Sequence, residues 1–342
     1  MSEIRYDRLN DCHVLIAPER LHRPDCGSET ERRAPDPAQC PFCEGREAMT
    51  PPEIYAIREA GSFPNEPGWK TRVVPNLYKA VQIEAPHRHH FGLFEYWDGF
   101  GAHEVIIDTP RHRTSMTEWE EAEARCWLQT LRERVADLRR DRRIAYISLF
   151  KNEGPRAGAT QPHCHTQLIG LPVVPKAMRE RYERLDAHLR EHGRSLPETL
   201  LEHERETGER LVETGDAFTA FCPYASAYPF ETAIVANRDV GRVDTLSDAA
   251  VAELAPLLLR VLRRMKRQLG CFDFNLSVST PPLQEEQFPK SLIDRAGESD
   301  RFCIRILPRI YRFGGFELET GIVINPVAPE TAAKLLREGN DG

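Results

Sequence analysis

The sequence lacks the features that a membrane, a nucleic acid or an oxidising compartment would require. No apolar run reaches the about 20 residues of a membrane-spanning helix, and no apolar core of a signal peptide follows the charged start Met1-Ser-Glu-Ile-Arg-Tyr-Asp-Arg8. Against 46 basic residues there are 53 acidic ones, a formal net charge of −7, whereas nucleic-acid binding is typical of basic proteins. We therefore predict a cytoplasmic protein with neither a membrane nor a nucleic acid as partner.

Paired cysteines are also scarce. The nine cysteines are an odd number and most stand alone, which favours a reduced protein over a disulfide scaffold. The exception is Cys40-Pro-Phe-Cys43, whose spacing suits two thiolates on one metal ion. A redox dithiol is the alternative, but the thioredoxin-like β-α-β pattern is missing around it.

Two extended segments hold the densest group of chemically useful side chains. The apolar run at 144–150 predicts a buried strand, and 163–171 predicts a second one. Because alternate side chains of a strand share a face, we expect His163, His165 and Gln167 to point the same way. Histidines two residues apart are equally typical of a simple metal site or an exposed polar face, so this pattern alone leaves catalysis open.

A glycine-containing loop joins these two strands. Gly154, Pro155 and Gly158 predict an irregular connection, and Gly158 has no Cβ to keep a ligand away. We expect backbone N–H groups of Gly158, Ala159 and Thr160 to approach phosphate oxygens. Beside two imidazoles, this loop predicts a phosphate-binding surface.

The order and spacing of these residues resemble the active-site signature of the galactose-1-phosphate uridylyltransferase branch of the histidine-triad superfamily. That branch carries an Asn-x-Gly segment, a Gly-x-Ser/Thr turn and a His-x-His-x-Gln strand. In the hydrolase branch a third histidine stands at the position of Gln167, so the glutamine favours transfer over hydrolysis. The residues that match are Asn152, Gly158, Thr160, His163, His165 and Gln167.

The resemblance implies a double displacement. His165 would attack the α-phosphorus of a nucleoside diphosphate sugar, form a nucleotidyl-histidine and release sugar 1-phosphate. Gln167 is the second predicted catalytic residue, because its amide can donate to a phosphoryl oxygen. The same resemblance assigns phosphate binding to Asn152 together with the loop, a ribose contact to Asn76 and a sugar contact to Glu317.

Three functional hypotheses follow. The leading one is a UDP-glucose–hexose-1-phosphate uridylyltransferase that acts on galactose 1-phosphate. The alternative is an adenylyl enzyme, an ADP-sugar phosphorylase with phosphate as acceptor, because 225–231 and 313–326 resemble adenylyl-type relatives. The hypothesis from another class is a nucleotide-binding regulatory protein without turnover, and the intact His163, His165 and Gln167 argue against it.

The resemblance also implies one structural zinc ion. It adds His112 and His163 to Cys40 and Cys43 as ligands, which gives a closed four-coordinate site. Relatives hold a second metal with a histidine pair at positions where this chain has Arg301 and Cys303. A second metal site is therefore not predicted.

The predicted fold is α+β, with two similar histidine-triad-like halves, each an antiparallel sheet with packed helices. We expect a catalytic domain with the zinc site at 1–175, a charged helical connection at 176–217 and a second domain without His-x-His at 218–342. A weak internal repeat supports this division, since 218–225 parallels 71–78 and 230–236 parallels 103–108. The resemblance further implies a homodimer.

Local signals place two long helices and two supporting residues. Thr117 and Glu120 have the spacing of a capping box before a helix that ends near Leu138. A second helix is expected from Ser247 to about Leu269, closed by Gly270. His103 and Glu104 match a strand of the same family and are expected to support the site.

Overall fold

The fold is built on one antiparallel sheet of ten strands, and a computed structural model describes residues 2–22, 37–283 and 290–338. In chain order the strands are β1 (Glu3–Asp7), β2 (Cys12–Ile16), β3 (Tyr55–Arg58), β4 (Trp69–Pro75), β5 (His89–His90), β6 (Tyr96–Trp97), β7 (Ala102–Ile107), β8 (Tyr146–Glu153), β9 (His165–Leu171), β10 (Leu211–Thr214), β11 (Phe218–Phe221), β12 (Thr232–Ala236), β13 (Phe274–Val278), β14 (Cys303–Pro308) and β15 (Val323–Asn325).

The strand order shows how the two halves meet. It is β10-β11-β12-β14-β13-β8-β9-β7-β4-β3. Outward from the central β13–β8 pair, each half contributes five strands in the same relative chain order, which agrees with the predicted repeat. The α+β class is confirmed, whereas the domain boundaries 1–175, 176–217 and 218–342 stay a prediction, because the sheet runs without a break from one half into the other.

Eight α-helices are found among the described residues. They are α1 (Glu121–Leu138), α2 (Lys176–His192), α3 (Leu196–Thr207), α4 (Asp248–Leu269), α5 (Lys290–Asp294), α6 (Ala296–Ser299), α7 (Gly315–Thr320) and α8 (Pro329–Glu338). None of them has both the length and the apolar composition of a membrane-crossing segment.

The main core lies between one face of the sheet and the pair α1 and α4. Trp127 and Leu131 of α1 and Leu258 of α4 are fully buried there. Trp127 Nε1 donates to Thr166 Oγ1 at 2.8 Å, which ties α1 to β9. Thr166 and Leu168 therefore face the core, as the predicted alternation requires, and the odd-numbered side chains of β9 face the other way.

The start of α1 differs from the prediction. Thr117 lies in a short 3-10 helix, Met116–Glu118, whose N-cap is Ser115. The capping box is one turn later, between Glu120 and Glu123. The box predicted from Thr117 and Glu120 is wrong, because two overlapping pairs have the same spacing and Ser115 already caps the first turn.

The remaining helix predictions agree with the structure. Ser247 caps α4 by accepting a hydrogen bond from the Ala250 N–H, and Gly270 follows its last residue. The charged connection contains α2 and α3. Tyr182 and Leu185 of α2 are buried in one satellite cluster, and Leu201 of α3 packs on the sheet face opposite α1.

A buried ion pair lies beneath β9. Lys151 and Asp108 are both fully buried, and Lys151 Nζ donates to Asp108 Oδ2 at 2.8 Å and to the His165 carbonyl oxygen at 3.1 Å. Burial alone would lower the pKa of Lys151, but the adjacent Asp108 carboxylate raises that pKa above its ordinary value. The lysine therefore stays charged and fixes the start of β9 to β8.

We expect this pair to be needed for stability. Lys151→Met should lower the free energy of unfolding by about 3–5 kcal/mol, because it leaves Asp108 buried without its partner. Arg125→Met is the control: it breaks an exposed pair with Glu121 and should cost at most about 1 kcal/mol. Urea denaturation measures both, and equal losses would contradict the assignment.

Candidate active site and metal cluster

The predicted nucleophile lies at the first position of β9. Lys151 and Cys164 N–H anchor the backbone here, the latter by donating to the Arg113 carbonyl at 2.7 Å. Because of that anchor the regular strand begins at His165, two residues later than the sequence predicts. Phe42, between Cys40 and Cys43, packs edge-on against the His165 ring with centroids 5.5 Å apart.

The His165 ring is held in one orientation. Its Nδ1 lies 2.9 Å from the His163 carbonyl oxygen, and only a protonated Nδ1 can bond that acceptor, so the neutral ring keeps its lone pair on Nε2. Burial lowers the pKa of His165, with a further contribution from nearby Lys151. A neutral imidazole with an available Nε2 is the form that can attack phosphorus.

Two amides flank this histidine on the same face of the sheet. Phe150 pairs with Gln167, so continuing the register by two residues places Asn152 opposite His165. Asn275 Nδ2 donates to Asn152 Oδ1 at 2.8 Å, which leaves the amide nitrogen of Asn152 as a donor toward the site. Gln167 Oε1 is similarly engaged, at 3.1 Å from His103 Nε2.

The predicted loop follows β8, but two of its three predicted N–H donors are used within the loop. The N–H groups of Gly158 and Ala159 close the turn by donating to the carbonyl oxygens of Pro155 and Gly154. Within the described residues the Thr160 N–H donates to no group, so of the three predicted donors it is the one left for a ligand. Gly158 is required for its left-handed backbone, with φ +88°.

The second half supplies two residues that sequence reasoning missed. Asp273 accepts the Arg156 N–H at 2.7 Å, and Asn275 donates to the Ala157 carbonyl as well as to Asn152. Asn275 stands directly opposite Asn152 in the β13–β8 ladder. The only sequence signal was a pair of polar residues, which says nothing about the strand that they face.

The four predicted metal ligands come together. One donor atom each from Cys40, Cys43, His112 and His163 lies within 4.8 Å of all the others. His163 Nδ1 is 3.4 Å from Cys40 Sγ and 3.6 Å from Cys43 Sγ. The Thr109 carbonyl oxygen accepts a hydrogen bond from His163 Nε2–H at 2.8 Å, which leaves the Nδ1 lone pair facing the cluster. This arrangement can hold a metal ion.

Burial shifts the pKa values of two residues of this cluster. It lowers the pKa of His163 to about 4, so that this ring is neutral and can donate a lone pair. Burial and the nearby Cys40 raise the pKa of Cys43 to about 11, because two thiolates side by side repel each other. A cation is what would let both cysteines ionise together.

Two further predicted residues have different surroundings. Asn76 lies close to the site, with its amide nitrogen 3.0 Å from His103 Nε2. Glu317 is in α7, where its carboxylate accepts the Gly314 N–H at 2.8 Å. Within the described residues no hydrogen bond or ion pair joins Glu317 to the His165 site, so its sugar contact stays a prediction. Glu104 is buried and paired with Arg134.

A separate cavity of about 620 Å³ lies on the same sheet face and is lined by residues of both halves. The ion pairs Arg181–Asp300 and Arg305–Glu231 are part of its lining, and His165 and Gln167 are not. Because Arg181 and Arg305 of this cavity are already paired with carboxylates, we take the His165 face of the sheet as the candidate active site. Among the described residues the Cys40 cluster is the one group with metal-binding spacing.

Comparison with known proteins decides the family. The model of the galactose-1-phosphate uridyl transferase N-terminal domain matches residues 1–175. ADP-glucose phosphorylase of Arabidopsis thaliana is 31% identical over 98% of this chain and 92% of that protein. The chain belongs to the galactose-1-phosphate uridylyltransferase family. The family's Thermotoga maritima galactose-1-phosphate uridylyltransferase is 26% identical over 99% of the chain and 98% of that protein.

Solved structures of this family have the same fold. A crystal structure of an ADP-glucose phosphorylase from Arabidopsis thaliana with bound ADP-glucose has a TM-score of 0.81 and 28% identity, covering 99% of this chain and 98% of that one. A uridylyltransferase structure has a TM-score of 0.73 at 22% identity over 99% and 98% of the two chains.

Removing one metal ligand should empty the cluster. We expect Cys43→Ser to lose the single bound metal ion measured by elemental mass spectrometry. An ion at a hundred times its Kd adds about 2.7 kcal/mol, so Tm should fall by roughly 4 °C for a chain of this length. Cys271→Ser changes an exposed free cysteine and serves as the control. Full metal content in Cys43→Ser would rule out this ligand set.

Gly154 should be the least replaceable glycine of the loop. Its backbone, at φ +85° and ψ +159°, suits glycine alone, and a Cβ would lie 2.1 Å from the Asp273 carboxyl group. Gly193→Ala, at φ +70° with open space around it, should cost about 1–2 kcal/mol. Gly154→Ala should cost clearly more in urea denaturation, and an equal cost would refute the contact with Asp273.

Proposed function

We propose that this protein is a nucleotidyltransferase that transfers a nucleoside monophosphate group through a covalent bond to His165. The observation that carries the proposal is the fixed His165 ring, with Nδ1 committed to the His163 carbonyl and Nε2 available. Membership of a transferase family supports the same chemistry.

Two displacements at one phosphorus make up the proposed reaction. His165 Nε2 attacks the α-phosphorus of a nucleoside diphosphate sugar, the bond to the bridging oxygen breaks, and sugar 1-phosphate leaves with the electron pair. A phosphate oxygen of the acceptor then attacks the same phosphorus and breaks the P–N bond, which restores neutral His165. Each step breaks one bond and forms one, so no oxidant or reductant is required.

The neighbouring amides stabilise the charge that builds up. Asn152 and Gln167 have their amide oxygens occupied by Asn275 and His103, so both present N–H donors to the phosphoryl group. Thr160 adds a backbone donor. Because these dipoles are oriented before the substrate arrives, they stabilise the transition state without reorganisation. Gln167 cannot deliver a proton as a histidine would, which disfavours hydrolysis.

We propose zinc as the ion of the Cys40 cluster. Zinc–sulfur and zinc–nitrogen bonds of about 2.3 and 2.0 Å at tetrahedral angles put ligand atoms about 3.5 Å apart, close to the 3.4 and 3.6 Å between His163 Nδ1 and the two sulfurs. With four protein ligands the site is closed, so its role is to hold His163 and, through the next strand positions, His165.

The nucleotide donor has two candidates. UDP-glucose is the donor of the leading sequence hypothesis, with galactose 1-phosphate as acceptor, and the relatives named uridylyltransferase support it. ADP-glucose with phosphate as acceptor is favoured by the higher identity to the Arabidopsis phosphorylase, 31% against 26% for the Thermotoga enzyme. We therefore test both nucleotide sugars separately, beginning with ADP-glucose.

A reduced compartment suits this chemistry. The eight described cysteines are free thiols, and Cys40 and Cys43 must stay reduced to bind metal. This supports the predicted cytoplasmic location. The predicted homodimer is checked by light scattering of the purified protein.

Intact-protein mass spectrometry tests the function. Mixing with ADP-glucose or UDP-glucose should add an adenylyl or a uridylyl group, and the nucleotide that adds identifies the donor. His165→Asn should abolish the adduct, and Gln167→Ala should slow its formation about 10²–10³-fold, as loss of an oxyanion donor does. His188→Asn, a half-buried histidine of α2, is the control.

The outcomes separate the hypotheses. An adduct that persists in His165→Asn contradicts the assigned nucleophile. Nucleotide binding without any adduct in the unmodified protein would favour the regulatory, non-catalytic hypothesis.

A further inference from the structure

One histidine connects the parts of the site that different strands supply. His103 lies on β7 beside β9. Its ring is within hydrogen-bond distance of three groups: the Ala80 N–H, the Asn76 side chain and the Gln167 side chain. Asn76 is the predicted ribose contact, Ala80 lies four residues after it, and Gln167 is on the strand that carries the proposed nucleophile.

The backbone decides where the ring proton is. Ala80 N–H donates to His103 Nδ1 at 3.1 Å, so Nδ1 carries the lone pair and the neutral ring has its hydrogen on Nε2. Gln167 Oε1 and Asn76 Nδ2 both face that Nε2, at 3.1 and 3.0 Å. Tyr78 N–H donates to Asn76 Oδ1, which identifies the Asn76 atom near the ring as nitrogen. Only Gln167 can accept.

We infer that His103 is a positioning residue that sets the amide orientation of Gln167. The inference rests on the proposed nucleotidyl transfer and deepens it. With Oε1 held by the His103 Nε2–H, the planar amide must turn its N–H groups toward the face that it shares with His165. If the amide were reversed, its oxygen would face the phosphoryl oxygens and repel them.

The His103 ring does not accept a hydrogen bond from the Asn76 amide N–H. Asn76 Nδ2 and His103 Nε2 are both donors, so their 3.0 Å approach is not a hydrogen bond. The Asn76 N–H is therefore available to a hydroxyl or ring acceptor of a bound nucleotide. His103 therefore couples the segment that contacts the nucleoside to the amide that contacts its phosphate.

Two matched substitutions separate the two bonds of the ring. His103→Gln keeps an N–H at about the position of Nε2 and loses the acceptor for Ala80. His103→Asn keeps an acceptor at about the position of Nδ1 and loses the donor to Gln167. Each is made alone and together with Gln167→Ala, and the rate of nucleotidyl-enzyme formation is measured in a single turnover at saturating nucleotide sugar.

We expect His103→Asn to slow that rate about tenfold, the effect of losing one ordinary hydrogen bond. The nucleotide-sugar concentration needed for saturation should change little. His103→Gln should keep most of the rate. In the Gln167→Ala background, His103→Asn should have no further effect, because the residue acts through the amide. Equal loss in both backgrounds, or equal loss in Asn and Gln variants, would overturn the inference.

A second measurement is independent of turnover. In protein labelled with ¹⁵N-histidine, long-range NMR should show the Nε2–H tautomer for His103, assigned by its disappearance in His103→Asn. The Nδ1–H tautomer would overturn the inference whether or not the protein forms an adduct. Failure of the unmodified protein to form any adduct would instead count against the proposed function.

Discussion

The pairing of β8 with β13 is the interaction on which the rest of the structure depends. It joins two five-strand halves into one sheet, and it is the reason that the second half belongs to the site although it has no His-x-His. Through this ladder Asn275 meets Asn152, and Asp273 meets the loop after β8. A strand pair is rigid enough to fix such contacts, because its register allows only one set of neighbours.

His165, the proposed nucleophile, is held from three sides by interactions of different kinds. The Cys40 cluster includes His163, whose carbonyl oxygen accepts a hydrogen bond from His165 Nδ1–H. Phe42, between Cys40 and Cys43, contacts the His165 ring. Beneath the strand, Lys151 donates to the His165 carbonyl and is neutralised by Asp108. A buried pair of this kind adds little net stability, but it fixes the local geometry. Removing one partner is costly, because it leaves the other charge buried and unpaired.

Orientation of amides is the second theme of the site. Asn152 and Gln167 can each present either an oxygen or an N–H group, and only N–H groups favour a negatively charged phosphoryl group. Asn275 and His103 resolve the choice by engaging the two oxygens. The residues proposed to contact substrate are thus oriented by Asn275 of β13 and His103 of β7, which lie on opposite sides of the β8–β9 pair.

The sequence by itself determined what local spacing can encode. Spacing predicted the strand that carries His165, the Cys40–Cys43 pair, the helix that ends at Leu138 and the repeat of two halves. His112 and His163 came from the family resemblance, and the structure places both beside the two cysteines. The sequence missed the start of α1, since Thr117–Glu120 and Glu120–Glu123 offered the same spacing. Only the tertiary structure decided that the halves share one sheet, that Asn275 lies beside Asn152, and that the Gly158 and Ala159 N–H groups are used inside the loop. The physical reason is that spacing fixes which side chains share a face, whereas the partner of a strand and the donor of a hydrogen bond depend on residues far away in the chain.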